Sequence, residues 1–401
     1  MTPGAARRRT IQCLAIVASD DAPIRVRSRG RHRFIRVGGA IAILVAVAVL
    51  AVAGLRLMRT SDRPSAVHSP STGAGTAERG YLVTLAELRA RATRAAGGRQ
   101  PEARALTDLL DWAEQAVEGH PDPAEPLRID GTTGPFVDDS ATAYGLALAW
   151  GATGDLRYAT GARGYVMAWV NQTRTLVGAC PSDGDCQTSL IVSRAAPGFV
   201  FAVDLLSSSG VLTPTDDATF RDWLRTVILP AASERTNNWG DAGVFLRVVA
   251  TDYLGDAARF TAAVDAWRGQ LDLIAPDGHI PEEVRRGSSG LSYTQEALLY
   301  KLAVARIAER RGIDLWSSRG AGGGTLRAAV ELAAQYQLDP SGWPWAGKVD
   351  VPSPGPGWEL AYAQWPEPAF ASILEPVRPL GFPGHSAIRW TTLTNGLPIG
   401  S

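Results

Sequence analysis

Lysine is almost missing from this 401-residue chain: of 40 basic residues only Lys301 and Lys348 are lysines, so the positive charge is carried by arginine. With abundant Ala and Gly, that bias reads as high-GC coding rather than mechanism. Net charge is missing as well, 40 basic residues standing against 40 acidic ones, which removes any global electrostatic case for nucleic acid. No His-x-x-x-His and no cysteine pair with ligand spacing occurs, so no metal site is expected. The serines lack a nucleophile-elbow motif. The glycine run Gly320–Gly324 has neither a lysine nor a preceding strand to make it a phosphate cradle. No cofactor is expected. Strand-like alternation is scarce before the stretch 386–397.

Only three cysteines are present. Cys13 lies in a basic N-terminal segment, while Cys180 and Cys186 bracket the short polar loop CPSDGDC. No His or Cys cluster accompanies that pair, so a local disulfide fits better than a redox or metal site, given an oxidising compartment. Two free thiols are the alternative.

What the chain does hold is 45% hydrophobic and 20% charged residues, the balance of a globular protein. Residues 37–55, VGGAIAILVAVAVLAVAGL, run without a charge up to Arg56, about the ~20 residues a helix needs to cross the hydrocarbon core. Nine arginines precede the run (Arg7, Arg8, Arg9, Arg25, Arg27, Arg29, Arg31, Arg33 and Arg36) against Asp20 and Asp21. The positive-inside rule then keeps residues 1–36 in the cytoplasm as a basic tail and puts everything after a membrane helix at 37–56 outside. A cleaved signal peptide ending near Ala51-Val52-Ala53 is the rival, but the apolar core and the n-region are both too long for one. Residues 57–79, rich in Ser, Thr, Pro and Gly, read as a flexible linker. An extracytoplasmic domain is expected over 80–401.

From Leu82 the apolar spacing is helical. Leu82, Leu85 and Leu88 share a face, as do Leu109, Leu110, Trp112 and Val117, and further helices are expected over 140–153, 156–173, 189–207, 217–233, 241–254, 257–273, 291–311, 325–336 and 357–374. Two segments echo each other, TGDLRYATGARGYVMAW (153–169) and LGDAARFTAAVDAW (254–267). Each has Gly-Asp opening a helix and a Trp near its end. Repeated helix pairs of this kind suggest an all-α fold, an (α/α) toroid whose inner helices line a cleft. A generic helical bundle is the alternative.

Chemistry-bearing residues concentrate in Asn237-Asn238-Trp239-Gly240 and in the polar loop DGHIPEEVRRGSSGLSY, residues 277–293. The loop gathers His279, Glu282, Glu283, Arg285, Arg286 and Tyr293 ahead of an apolar helix, and such loops on rigid scaffolds are where function concentrates. A solvated loop with Tyr293 packed in the core is the plain alternative. His385, after an aromatic-rich segment with Trp343, Trp345, Trp358 and Trp365, is a candidate to close a cleft from the C-terminal side. His120 reads as a loop residue.

The order Asn-Asn, then D-G-x-[aliphatic]-P-x-E-x-x-R, then Tyr seven residues on, resembles the alginate (poly-mannuronate) lyase family. The likeness runs over most of 100–395, with DSATAYGLALAWGATGDLRYATGA early and GWELAYAQWPEP late. It implies a helical toroid, an acidic polysaccharide or cell-envelope glycan as partner, and cleavage by β-elimination. Residue by residue it implies Asn238 as carboxylate-neutralising amide, Arg286 as active-site arginine and Tyr293 as catalytic tyrosine. Glu283 takes the place of the family's loop acid, a structural partner for a nearby arginine; it and Asn237, Trp239, His279 and His385 are candidate substrate contacts. Two departures stand out. The family has His directly after the second Asn, where this chain has Trp239. It often has His after the Tyr and a second Arg four residues before it, where this chain has Thr294 and Ser289.

The chemistry tolerates the missing histidine. A lyase removes the C5 proton of a uronate and expels the C4 substituent, and neutralising the carboxylate acidifies that proton. A tyrosine ordinarily titrates near 10, so it needs a cation beside it, for which Arg286 is the candidate. In mannuronate or glucuronate, C5–H and the C4 oxygen share a face, and one tyrosine serves both. Two other readings stay open. A glycoside hydrolase on a similar toroid would need two carboxylates roughly 5–10 Å apart, drawn from Asp138, Asp139, Asp241 and Glu282. The other is a non-catalytic, membrane-anchored glycan-binding or envelope protein.

Overall fold

A computed structural model describes residues 78–182 and 186–399. The expected basic tail, the membrane helix and nearly all of the linker lie outside the described residues.

The chain enters the core at Tyr81, Leu82 and Val83, all buried. Its entry is tied down by the Arg79 and Gly80 N–H groups, which donate to the Asp204 carboxylate at 2.7 and 2.9 Å. Helices follow in order: α1 (Leu85–Ala96), α2 (Glu102–Ala116), α3 (Pro135–Thr153), α4 (Leu156–Gln172), α5 (Gln187–Ala195), α6 (Pro197–Leu206) and α7 (Pro214–Trp223). Then come α8 (Asn238–Leu254), α9 (Ala257–Leu271), α10 (Pro281–Val284), α11 (Gly290–Glu309), α12 (Leu326–Leu338), α13 (Gly357–Gln364), α14 (Pro368–Leu374) and α15 (Thr391–Asn395).

The two echoing segments are helix hinges. Gly154 (φ 78°) and Gly255 (φ 70°) end α3 and α8 in the left-handed region, where a side chain would be strained. Asp155 and Asp256 then cap α4 and α9, their side chains accepting from the Arg157 and Arg259 N–H groups. So short a turn folds each second helix back along the first. Trp169 and Trp267 close the two pairs in the core, their indoles donating to Asp139 (2.8 Å) and to the Lys301 carbonyl (3.1 Å). Burying the two amphipathic rings without stranding their N–H groups is what those partners achieve.

The packing order is that of a toroid. An inner row runs α3, α5–α6, α8, α11, α13, each helix packed on the next, with α4, α9, α12 and α14 behind them as outer partners. The short α15 touches α13 at one end of the row and α1 and α2 at the other. Gln187–Leu206 is the one helical stretch among the described residues long and apolar enough to cross a membrane, and its apolar window is wholly buried in the domain.

Four expected elements come out differently, mostly because of proline. The helix expected over 189–207 is divided by Pro197 into α5 and α6. The one expected over 217–233 ends as α7, followed by a π-type turn at Leu224–Ile228 and a 3-10 turn at Leu229–Ala231, since Pro230 cannot donate the next helical bond. Trp365-Pro366-Glu367 separates α13 from α14 where one helix was expected. The strand-like stretch 386–397 pairs with no strand among the described residues: it bends at 386–387, turns through a left-handed Trp390 (φ 58°) and becomes α15 over Thr391–Asn395. Its alternation reflects burial on all sides, not a sheet. The strands that do form, Leu127–Arg128 and Leu176–Val177, are a two-residue parallel pair.

Inner helices α8 and α11 are joined by an ion pair, Lys301 Nζ to Asp241 Oδ1, both side chains at 2–3% exposure. Burial raises the Asp241 carboxyl, and the Lys301 ammonium pulls it back. Such a pair adds little over an apolar one, but stranding either charge costs about 3–5 kcal/mol. Lys301→Met is therefore expected to destabilise the fold by about that amount, measured by denaturant unfolding, and Asp241→Leu added to it should recover most of the loss. A single variant as stable as the parent would contradict this.

Candidate active site

The site is built where α8 begins and where the loop 277–290 crosses in front of it. Asn237 caps α8, its side-chain oxygen accepting from the Trp239 N–H at 3.1 Å. Trp239 then turns its ring beneath the Arg235 guanidinium, 4.7 Å from the ring centre. Both residues expected to touch substrate here are thus engaged locally. Asn238, between them, is fully buried, and its carboxamide nitrogen and oxygen both lack a hydrogen-bond partner. An orphaned buried amide costs about 1–3 kcal/mol.

Asn238 is tied to the loop through its backbone. Its N–H donates to Glu283 Oε1 at 2.7 Å, while Glu283 Oε2 is buried without a partner. Glu283 was expected to pair with an arginine; it holds the start of α8 instead. Burial pushes its carboxyl up to about 7, Asn238 opposes that, Asp241 adds to it, and Arg286 and Lys301 oppose it.

Arg286 and Tyr293 meet. The guanidinium carbon lies 4.5 Å from the phenol ring centre, over its face. Arg286 is exposed and Tyr293 half-buried, so this pair is open to solvent where Asn238 is not. Tyr293 sits in the first turn of α11 and shares a face with Glu296 and Tyr300, three and seven residues on. That face looks across at α5 and α8: Glu296 pairs with Arg194 at 3.2 Å, and Tyr300 packs on Phe245.

The two candidate histidines lie on different flanks of α11. His279 bonds Asp277 through Nδ1 (2.6 Å) and packs on Trp345, beside Leu291 and Thr294. His385 bonds Glu296 Oε2 through Nε2 at 2.8 Å. The Tyr300 hydroxyl donates to the other Glu296 oxygen at 2.6 Å. Burial alone would raise this carboxyl, but Arg194, then His385 and Tyr300, outweigh it and hold it at about 2. The segment carrying His385 is pinned by Arg389, whose guanidinium donates to the carbonyls of Phe382 (2.6 Å), Gly384 (2.6 Å) and Ser386 (2.9 Å). His120 is exposed in the connection after α2.

Three of the four acids a hydrolase would draw on are occupied. Asp139 accepts from the Asp122 N–H and from Trp169, Asp241 is locked to Lys301, and Glu282 pairs with Arg285 at 2.5 Å. Asp138 is exposed on α3. Cys180 and Cys186 form a disulfide with Cα atoms 5.6 Å apart, within the usual span. Among the described residues no group of three or more His, Cys, Asp or Glu is placed to hold a metal ion.

Comparison with known proteins decides the family. The sequence model of the alginate lyase family matches residues 91–343, more than half of the chain. The chain belongs to the alginate lyase family. A polysaccharide lyase of Stenotrophomonas maltophilia (strain K279a) is 32% identical over 136 residues, covering 32% of this chain and 38% of that protein. The match thus spans well under half the length of that relative. Among solved structures, a His-to-Ala variant of alginate lyase A1-III complexed with tetrasaccharide superposes with a TM-score of 0.63 at 17% identity, over 82% of this chain and 98% of that one. Alginate lyase A1-III from Sphingomonas species A1 gives 0.60 at 17% identity over 83% and 100%, and an alginate lyase from Bacteroides ovatus 0.59 at 18% over 80% and 99%. At these identities the structures speak for the fold, which is that of this lyase family.

Reasoning from the sequence missed the Arg194–Glu296–Tyr300 cluster beside His385 and the Lys301–Asp241 pair. Both had a signal. Glu296 borders and Lys301 interrupts the apolar run 297–305 of α11, and Lys301 is one of only two lysines in the chain.

Glu283 makes stability depend on pH. A carboxyl at about 7 instead of the ordinary 4.5 keeps its proton in the folded state where the unfolded chain has lost it. The folded state therefore loses relative stability as pH rises from about 4.5 to 7, by on the order of 3 kcal/mol. Glu283→Gln retains the acceptor for Asn238 and removes the titration. Its melting temperature relative to the parent is expected to rise between about pH 5 and pH 8. An unchanged difference across that range would rule out a raised carboxyl.

Proposed function

We propose that the protein is a polysaccharide lyase that cleaves a uronate-containing glycan by β-elimination, with Arg286 and Tyr293 at the reacting sugar. Family membership and the stacked guanidinium–phenol pair at the mouth of α11 support this reading. Arg286 receives the uronate carboxylate, whose negative charge otherwise opposes loss of the C5 proton. Tyr293, as phenolate, takes that proton; the C5–H electrons form the C4–C5 double bond, the C4–O bond breaks, and the departing oxygen takes the proton back from the phenol.

One residue in both roles requires C5–H and the C4 oxygen on the same face, so the fitting uronates are mannuronate and glucuronate. Asn238 supports the site from behind, its backbone holding Glu283 and thereby the loop that presents Arg286. Alginate lyase A1-III has been captured with a tetrasaccharide, and a glycan of that order of length is the ligand read here. We also read the chain as anchored by residues 37–55 with this domain outside the cytoplasm, on the strength of the arginine-rich segment before that apolar run.

The full chain incubated with mannuronate and glucuronate polymers should produce rising ultraviolet absorbance from the conjugated double bond. Tyr293→Phe should lower that rate by about 10²–10⁴-fold, the usual share of acid–base catalysis, with the circular dichroism unchanged. New reducing ends without the absorbance would mean hydrolysis, and full turnover by the variant would remove Tyr293 from the chemistry.

A further inference from the structure

A cavity of about 160 Å³ lies between the first half of α11, the segment 352–358 and the loop 384–388. Pockets for a whole small ligand run to roughly 300–1,000 Å³, so this one suits a single ring or substituent. Its walls are mainly apolar, with Leu298, Leu299, Leu302, Val330, Ile388 and the Trp358 ring among them. No arginine or lysine lines it; its ionisable groups are Glu296 and His385. Glu296 is already balanced by buried Arg194, so a second carboxylate entering here would meet Glu296 with no cation to receive it.

Most of the polar atoms in the wall are spent on rigidity. Gln295 donates to Gln337 Oε1 (2.5 Å) and accepts from the Trp358 indole (3.1 Å), and Gln337 donates to the Pro352 carbonyl (3.1 Å). His385 has an atom left. An ionised Glu296 can only accept, so Nε2 carries the hydrogen of their bond, and in the neutral ring Nδ1 is then an open acceptor. The cavity adjoins the reacting pair, because Glu296 in its wall and Tyr293 are i,i+3 neighbours on α11.

Building on the lyase reading, we propose that this cavity is the subsite for an uncharged sugar bearing an N-acetyl group, linked to the uronate at Arg286. The acetyl methyl packs against Leu299 and Trp358, and the amide N–H donates to His385 Nδ1. The glycan is then one in which uronate alternates with an acetamido sugar, not a uronate homopolymer.

The test separates binding from turnover. With Tyr293→Phe in the full chain to stop cleavage, an alternating glucuronate–N-acetylglucosamine tetrasaccharide is titrated against an all-glucuronate tetrasaccharide. The first should bind at least about tenfold tighter, the low end of what a methyl gains in an apolar pocket. Saturation-transfer NMR should place its acetyl methyl among the strongest contacts. Ser353→Trp, at the exposed rim, should erase the preference. Equal affinities, or a preference that survives Ser353→Trp, overturn the subsite. A preference that holds while the parent chain makes unsaturated product from neither polymer leaves the subsite standing and overturns the lyase reading. No binding of either sugar overturns both.

Discussion

Asp241 and Lys301 fasten α8 to α11 with charges that solvent does not reach, and the Asn238 N–H fastens the beginning of α8 to Glu283 in the loop that leads into α11. These two links fix the register between the helices that carry the candidate chemistry. Without them Tyr293 would have no set position relative to the start of α8, and Arg286 no rigid edge from which to reach over it. Close backbone approach does the rest: a Cβ at Gly240 or Gly243 would run into the carbonyls of Arg235 and Ser233. The start of α8 therefore lies directly on the preceding turn.

Around this joint, buried charge is handled in two ways. Glu296 is surrounded by Arg194, His385 and Tyr300 and stays ionised. Glu283 has one amide donor for two oxygens and is driven toward its neutral form. The two acids lie at opposite ends of the same short stretch, on either side of Tyr293. One end presents fixed charge with an imidazole attached; the other presents a carboxyl that neutralises easily. On the proposed reading, a uronate at Arg286 would meet little repulsion from the acid behind it.

Trp239 stands where the family it belongs to has a histidine, and its ring is tucked under Arg235 instead of facing Tyr293. On the proposed lyase reading, proton handling rests on the phenol of Tyr293, which suits sugars whose leaving oxygen and C5 proton share a face. His385 arrives from the C-terminal loop, on the opposite flank of α11 from His279.

Most of the helices, and two of their pairings, were legible from local sequence alone. Apolar spacing marked each long helix, and the Gly-Asp hinges at 154–155 and 255–256 declared antiparallel turns because both are local signals, set by backbone freedom and capping. The Asn-Asn and P-x-E-x-x-R…Tyr spacing likewise marked the stretch where Arg286 and Tyr293 meet, since loop and first helical turn are neighbours in the chain. Only the tertiary structure decided which groups face each other across it. That Asn238 is enclosed, that Glu283 binds an amide rather than an arginine, and that Glu296 gathers Arg194 and His385 from about a hundred residues away on either side all depend on burial and non-local packing. The breaks at Pro197, Pro230 and Pro366 were also present in the sequence, but a proline shows where a helical bond is lost and not how the chain continues past it. Side-chain charge states followed the same rule, being set by neighbours that the linear order keeps apart.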